Sequence, residues 1–107
     1  MNFLLTSRYK DSWFTLPSAK RMEVVDDTVA FHKKYYDAKK LKDTYTFADG
    51  RLMSIWNLAS FEEMISIMSE HPYYGFVDFE ADPFLDHQEV VKAISKFREA
   101  SKKTAKK

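Results

Sequence analysis

Two carboxylates lie two residues apart in the segment HPYYGFVDFEADPF, residues 71–84. Asp78 and Glu80 alternate there with apolar residues, and successive side chains of a β-strand point to opposite faces. Both carboxylates are therefore predicted to share one face. Because close and partly desolvated carboxylates raise at least one pKa, the pair could supply a general acid or base. Asp78 and Glu80 are thus candidate catalytic residues, with a structural ion pair or plain solvent exposure as the alternatives.

Arg8 and His32 are candidates for anion binding and proton transfer. Arg8 is predicted to share the face of the two carboxylates, where it could bind a substrate carboxylate or neutralise Asp78 or Glu80. His32 lies on the apolar side of a predicted helix, and an ordinary histidine pKa near 6.5 suits a proton shuttle. The alternative for His32 is a hydrogen-bonded histidine of the core or of a cavity edge.

Aromatic residues form 16% of the chain, which is a high share. Tyr45 and Trp56 are candidate substrate-binding residues because their rings could stack on a planar ligand, with simple packing as the alternative. Trp13 and Phe14 follow the first predicted strand and suggest a lid or a contact between subunits. His71 precedes Pro72 and is predicted to cap the negative end of a helix as a cation.

Composition excludes several other chemistries. The chain has 107 residues, a net charge of +1, no cysteine and two glycines. No thiolate chemistry, phosphate-binding glycine loop or nucleic-acid partner is therefore expected. Three scattered histidines lack metal-ligand spacing, so neither a metal site nor another cofactor is expected. With no apolar run of about 20 residues and no signal peptide, we expect a cytoplasmic protein without membrane contact.

The periodicity of the chain predicts a β-α-β-β-α-β order with a further C-terminal helix. A strand over residues 2–9 precedes a helix over 19–40 that opens after Pro17, and Asp49-Gly50 predicts a hairpin. Ser60 and Glu63 form a capping box for a second helix, which ends at His71-Pro72. Asp86 and Glu89 are expected to cap the third helix. Residues 1–101 are predicted to form one domain, and residues 102–107 a basic disordered tail.

This order is that of the split βαβ, ferredoxin-like α+β fold, in which a four-stranded antiparallel sheet has its helices on one face. The helix-facing set is expected to be entirely apolar, and the open set to mix apolar and charged residues. The helix-facing set is Phe3, Leu5, Met53, Ile55, Val77 and Phe79, and the open set is Leu4, Thr6, Arg8, Leu52, Ser54, Trp56, Phe76, Asp78 and Glu80. Such a mixed face is expected to contact a second copy of the sheet.

Two segments resemble the dimeric α+β barrel superfamily, and their local sequence pattern is similar to its muconolactone isomerase branch. They are KYYDAKKLKDTYTFADGRLMSIWNLASFEEM and HPYYGFVDFEADPFLDH. The shared pattern includes the acidic E-x-x-P motif from Glu80 to Pro83. The resemblance implies a homodimer or larger assembly, with a ligand cavity between sheet and helices. It also implies isomerase or cyclase chemistry on a small anionic or aromatic compound.

Two alternatives to the isomerase hypothesis remain open. A haem- or oxygen-linked monooxygenase of this superfamily uses an asparagine on the first strand, a tryptophan on the third and a histidine on a helix. Asn2, Trp56 and either His71 or His32 are the residues that this chain offers. The other alternative is a dimer that binds a ligand without catalysis, because a fold does not by itself determine an activity.

Overall fold

The computed structural model describes the backbone of residues 1–105 and the side chains of residues 1–102. The elements, in chain order, are β1 (Asn2–Tyr9), α1 (Asp11–Phe14), α2 (Ser18–Asp37), β2 (Leu41–Thr46), β3 (Leu52–Asn57), α3 (Phe61–Glu70), β4 (Val77–Phe84) and α4 (His87–Ala105). The predicted order is confirmed, with α1 as an added turn of helix after β1. Residues 106–107 of the expected tail lie outside the described residues.

Local signals explain most of the element boundaries. The Ser60 hydroxyl accepts a hydrogen bond of 3.1 Å from the Glu63 backbone N–H, as expected of the capping box at the start of α3. In the β2–β3 hairpin, Gly50 has a φ of +87°, a conformation that glycine adopts without a steric penalty.

The C-terminal end of α2 differs from the prediction, because the helix ends at Asp37 rather than near residue 40. Lys39 takes a left-handed φ of 60°, and the N–H groups of Lys39 and Lys40 donate to the carbonyls of Tyr36 and Tyr35. These two bonds form a Schellman motif. The motif usually carries glycine at the left-handed position, so a lysine there gave no stop signal in the sequence.

The four strands form one antiparallel sheet in the order β2-β3-β1-β4. The β1–β3 register places Phe3 opposite Trp56 and Leu5 opposite Ser54. The β1–β4 register places Leu5 opposite Ala81, and Arg8 opposite Asp78. Since paired residues share a face, this register defines a helix-side face that contains Phe3 and an open face that contains Arg8.

The main core fills the space between the helix-side face and helices α2 and α3. Its buried residues are Phe3, Leu5, Tyr35, Leu41, Trp56, Leu58, Met64 and Ile67. A second cluster lies at the other end of the sheet, where Trp13 of α1 and Tyr73 pack with Val24 and Val77. Trp13 and Tyr73 meet edge to face, with ring centroids 5.2 Å apart. Trp13 is therefore a core residue of the domain rather than an exposed loop aromatic.

Both face assignments for β3 are wrong. Leu52, Ser54 and Trp56 lie on the helix side, whereas Met53 and Ile55 lie on the open face. Apart from Ser54 on one face and Asn57 on the other, the residues of LMSIWN are large and apolar or aromatic, so the period of two did not determine the inward set. Only the pairing with β1 determines it.

Apolar spacing by three or four predicts that α2 buries a stripe of Met22, Val25, Val29, His32 and Tyr36. The stripe that is buried is shifted from it by about one residue. Val24, Thr28 and Tyr35 are buried, whereas the predicted stripe members Met22 and Val29 are 59% and 65% exposed. The helix carries apolar residues on both of these neighbouring stripes, so spacing alone could not select the one that faces the sheet.

Helix α4 projects away from the sheet and gives the described chain extents of 70 × 28 × 23 Å. All of its side chains through residue 102 are exposed. Its start is fixed by the expected capping box, in which Asp86 and Glu89 exchange hydrogen bonds of 2.8 and 3.3 Å. In the part of the chain that the structure describes, no helix has the length and apolarity that a membrane crossing needs.

Candidate functional site

A cavity of about 210 Å³ lies between α2 and the helix-side face of the sheet. Its lining consists of Leu5, Ser7, Val25, Thr28, Val29, His32, Thr44, Tyr45, Thr46, Leu52, Met53, Ser54, His71 and Tyr73. Its exposed lining residues are Val29 on α2 and residues 44–46 on β2. The cavity therefore opens to solvent between these two elements and extends inward towards β1.

Buried polar side chains are concentrated at this cavity. Among the side chains that the structure describes, the buried polar ones apart from aromatic residues are Ser7, Thr28, Ser54 and His71, and all four line the cavity. Burying polar groups costs free energy unless they are paired. Their collection around one cavity of a small domain therefore marks it as the candidate functional site.

Two of these hydroxyl groups are held by hydrogen bonds within their own elements. The Thr28 hydroxyl donates to the Val24 carbonyl at 2.8 Å, one turn earlier in α2. The Ser54 hydroxyl accepts from the Trp56 indole N–H, also at 2.8 Å. Trp56 lies in the core below the cavity wall, and this hydrogen bond holds the Ser54 hydroxyl in position.

The two histidines of the cavity lie close together, with ring centroids 5.6 Å apart. His71 is buried, and its Nδ1 accepts a 3.1 Å hydrogen bond from the Tyr73 backbone N–H. A neutral imidazole whose Nδ1 is an acceptor carries its proton on Nε2. His71 is therefore a fixed hydrogen-bond donor through Nε2, held in place by packing against Phe31, Tyr73 and Phe79.

Burial keeps both imidazoles neutral. It lowers the pKa of His71 to about 4, with a further contribution from the nearby His32. Burial also lowers the pKa of His32. The prediction of His71 as a cationic helix cap is therefore wrong, because the ring faces an apolar and aromatic environment that disfavours its charged form.

A group of hydroxyls adjoins the histidines. The Tyr9 hydroxyl donates to the Tyr73 hydroxyl at 3.3 Å, and Tyr73 also interacts with the Thr28 side chain. Burial, and then the bond with Tyr9, raises the pKa of Tyr73. Tyr73 therefore stays a neutral phenol. Among the residues that the structure describes, those of the cavity wall carry hydroxyls and imidazoles but no carboxylate, lysine or arginine.

The predicted site residues are divided between the two faces of the sheet. His32 lines the cavity. Tyr45 borders the cavity opening, but it pairs with Met53, so its exposed ring lies on the open-face side of β2. Arg8, Asp78 and Glu80 lie on the open face, where all three are exposed. Asp78 contacts the Lys10 ammonium at 3.5 Å. The sheet separates this charged group from His32, so an acid–base role for Asp78 and Glu80 remains a prediction that depends on a covering partner.

Trp56 lies on neither the open face nor the cavity wall, since it is fully buried and packs on Tyr35 and Phe31 of α2. The residues of the monooxygenase alternative do not converge either. Asn2 is on the open face of β1 next to inward-facing Phe3, whereas Trp56 and His71 are on the helix side. They therefore do not fit one haem site. No cluster of three potential metal ligands occurs among the described residues.

Sequence reasoning missed Ser7, Thr28, Ser54 and Tyr73 as parts of the site. One usable signal was present: Ser7 follows Phe3 and Leu5 at a spacing of two, so it had to point inward with them. A small polar residue at an inward position of a strand leaves space and a hydrogen-bonding group. Thr28 and Tyr73 gave no comparable signal.

Comparisons with known proteins support the fold. No protein-family model matches the chain, and no curated protein matches its sequence. The structure is similar to that of TftG, a 5-chloro-2-hydroxyhydroquinone dehydrochlorinase from Burkholderia phenoliruptrix, in complex with 2,5-dihydroxybenzoquinone. The TM-score is 0.66 at 13% identity, covering 83% of this chain and 98% of TftG. The chain has a fold of the dimeric α+β barrel type.

A weaker likeness is to a structural-genomics target from Agrobacterium tumefaciens, with a TM-score of 0.41 and 14% identity over 81% of this chain and 96% of that one. The fold expected from the sequence is supported by the likeness to TftG. The resemblance to the muconolactone isomerase branch stays a prediction.

Proposed function

We propose that this protein binds a small single-ring organic compound in the cavity between α2 and the sheet and catalyses a proton transfer on it, of the isomerase or cyclase type. The supporting observation is the meeting of two close, neutral imidazoles with the buried hydroxyls of one cavity. The proposed assembly is a homodimer that uses the open face of the sheet.

The size of the cavity favours one ring. An engineered apolar cavity of about 150 Å³ binds benzene, whereas sites for drug-sized ligands exceed about 300 Å³. At about 210 Å³, the present cavity suits one ring with a few small substituents. Leu5, Val25 and Leu52 supply apolar contact area, and Tyr73 lies where its ring could contact a planar ligand.

The charge of the cavity favours an uncharged compound. Since the described residues of the wall include neither a lysine nor an arginine, an ionised carboxylate would lose its hydration without gaining a counter-charge. The exposed Arg8 could supply one only on the open face. A hydroxylated ring suits the cavity better, because its hydroxyls can pair with Ser7, Ser54 and the imidazoles.

The two histidines have different proposed roles. His71 has its Nδ1 occupied by the Tyr73 N–H, so it donates through Nε2 to an oxygen of the ligand. His32 accepts a proton from one atom of the ring and returns it to another, so an isomerisation leaves the enzyme unchanged. The lowered pKa of His32 keeps it available as a base below neutral pH.

Resorcinol is a suitable probe, because it is a neutral ring and its ring hydrogens exchange with solvent through a keto tautomer. We expect calorimetry to show saturable binding of resorcinol that His71→Asn weakens at least tenfold. Asn keeps an acceptor for the Tyr73 N–H and removes the Nε2 donor. The matched control is His87→Asn, which changes an exposed histidine on α4 and should leave binding unchanged.

Proton transfer is tested separately from binding. In deuterated water, proton NMR should show that the wild-type protein accelerates ring exchange, and that His32→Gln stops this acceleration while it keeps most of the binding. The acidic 2,5-dihydroxybenzoquinone, which TftG binds, tests the open-face alternative. If this compound binds tightly, loses affinity in Arg8→Leu and is indifferent to His71→Asn, the cavity assignment is wrong.

A further inference from the structure

The hydrogen bonds of the cavity wall fix which polar groups can donate to a ligand and which can accept. Ser54 and His71 are the two residues at which this direction is set by the protein itself. Both side chains are more than nine-tenths buried, and both line the cavity. A buried polar hydrogen without a partner is unfavourable until an acceptor reaches it.

The Ser54 hydroxyl needs an acceptor. Its oxygen already accepts the Trp56 indole N–H at 2.8 Å, and no described group of the chain accepts its own proton. An indole nitrogen is a donor only, so this bond cannot reverse its direction. Because Trp56 lies in the core below the wall, the free proton of Ser54 is left to the cavity side.

The His71 imidazole needs an acceptor as well. Its Nδ1 accepts the Tyr73 backbone N–H, which leaves the proton on Nε2. Among the described side chains, the completely enclosed polar atoms without a partner are Asn2 Oδ1 and Arg21 Nε. Nε2 of His71 is therefore not sealed by protein, and a molecule in the cavity can reach it.

The other buried hydroxyls of the wall are either paired or free to turn. Thr28 donates to the Val24 carbonyl, and Tyr73 accepts from Tyr9. The Ser7 hydroxyl has no hydrogen bond within the described chain, so it can present its proton or a lone pair. The cavity thus has two obligatory donors and no obligatory acceptor among these groups.

The two donors face the cavity from opposite sides of β1. Ser54 belongs to β3, whereas His71 packs on Phe79 of β4 with ring centroids 5.3 Å apart. Strands β3 and β4 flank β1, so they lie about 10 Å apart. Two hydrogen bonds of about 2.8 Å leave about 4 to 5 Å between the acceptor atoms, which is the scale of one ring with an oxygen at each end.

We propose that the ligand is an uncharged ring diketone, with one carbonyl oxygen accepting the Ser54 hydroxyl and the other accepting Nε2–H of His71. This inference rests on the proposed function, and it narrows the oxygenated ring to its keto form. A carbonyl oxygen accepts without bringing a proton of its own. Each hydroxyl of a diol would bring a proton that neither Ser54 nor His71 can accept well.

The same donors would assist the proposed proton transfer. When His32 takes a proton from the carbon beside a carbonyl, the electron pair of the C–H bond moves into the ring. Negative charge then develops on the carbonyl oxygen, where a fixed donor stabilises it. Return of the proton from His32 to carbon restores the ketone, so the step consumes no other reactant.

A matched pair of probes tests the preference for carbonyl oxygens. 1,4-Cyclohexanedione and trans-1,4-cyclohexanediol have the same ring and the same oxygen positions. We expect calorimetry to show that the wild-type protein binds the dione at least tenfold more tightly than the diol. Ser54→Ala should weaken binding of the dione about tenfold and change binding of the diol little. Ser95→Ala, at an exposed serine of α4, is the control and should change neither.

Trp56→Phe tests whether the indole sets the direction of the Ser54 hydroxyl. This variant keeps Ser54 but frees its oxygen to accept from a ligand, so the ratio of the two affinities should fall towards one. Circular dichroism checks that the variant is folded. A serine that served only as a contact surface would leave the ratio unchanged.

The remaining outcomes separate this inference from the proposed function. If resorcinol binds in a His71-dependent way but the dione and the diol bind equally, the diketone assignment is wrong and the cavity assignment stands. If Ser54→Ala weakens both probes alike or neither, Ser54 does not select a carbonyl. If neither the dione nor resorcinol binds, the proposed function fails and the diketone assignment fails with it.

Discussion

The two faces of the sheet are built from the same strands and have opposite chemistry. The helix-side face is sealed by α2 and α3, and its polar groups are few, buried and gathered at one cavity. The open face carries a half-buried apolar strip and exposed charges that include Arg8, Asp78 and Glu80. Strand alternation produces this contrast, since neighbouring residues of one strand enter different environments.

This contrast shows that charge density was a poor guide to the candidate site. The charged residues attracted attention in the sequence, but their exposure leaves them well hydrated. The neutral groups around His71 are few in the sequence, but they are the ones that the fold removes from water. An enclosed histidine or serine can contribute more to binding and catalysis than an exposed carboxylate, because the surrounding water is gone.

The largest expected loss of stability is for a residue of the helix-side face, and its neighbour on the open face gives the comparison. Trp56→Ala removes a fully buried ring and should lower the free energy of unfolding by about 3 to 5 kcal/mol. Ile55→Ala, on the half-buried open face, should cost about 1 to 2 kcal/mol. Urea unfolding measures both. Equal losses would mean that the open face is as well packed as the core, and would contradict the contrast between faces.

The pH dependence of stability should come from the helix-side face. The pKa of His71 is about 4 in the folded protein, below its ordinary 6.5, so only the unfolded chain takes up a proton between these values. The free energy of unfolding should therefore fall as the pH falls from 6.5 to 4, by roughly 3 kcal/mol. Urea unfolding across this range should show a clearly smaller fall in His71→Asn. An unchanged dependence in that variant would show that the buried imidazole is not responsible.

The smallest expected effect is on the open face. Asp78→Asn removes the charge of a side chain that is 77% exposed. Among the described ion pairs, this carboxylate contacts only the Lys10 ammonium, whose side chain is itself 46% exposed. At low protein concentration, thermal unfolding of Asp78→Asn and Glu80→Gln should match that of the wild type. At high concentration, a difference that grows with concentration is expected if a second copy covers this face. A large loss in the dilute monomer would mean that these carboxylates stabilise the subunit itself.

The order of elements could be predicted from the sequence because local signals determine it. The Ser60 and Asp86 capping boxes, His71-Pro72 and Asp49-Gly50 act over a few residues, and the structure contains the expected helix starts, helix end and hairpin. Where a local signal was missing, the prediction failed. Lys39 ends α2 in a left-handed conformation that the sequence pattern gave no reason to expect.

The sequence by itself determined the α+β architecture, the outward position of Asp78 and Glu80, and the start of α4. Only the tertiary structure decided which face of β3 is buried, which stripe of α2 meets the sheet, and that His32 and His71 are close together. The physical reason is that capping and alternation are interactions between near neighbours along the chain. Contacts that exist only after the strands have paired decide which side of an element faces inward when both sides are apolar. They also decide the pKa of His71, because His32 is 39 residues away in the sequence and adjacent only in the fold.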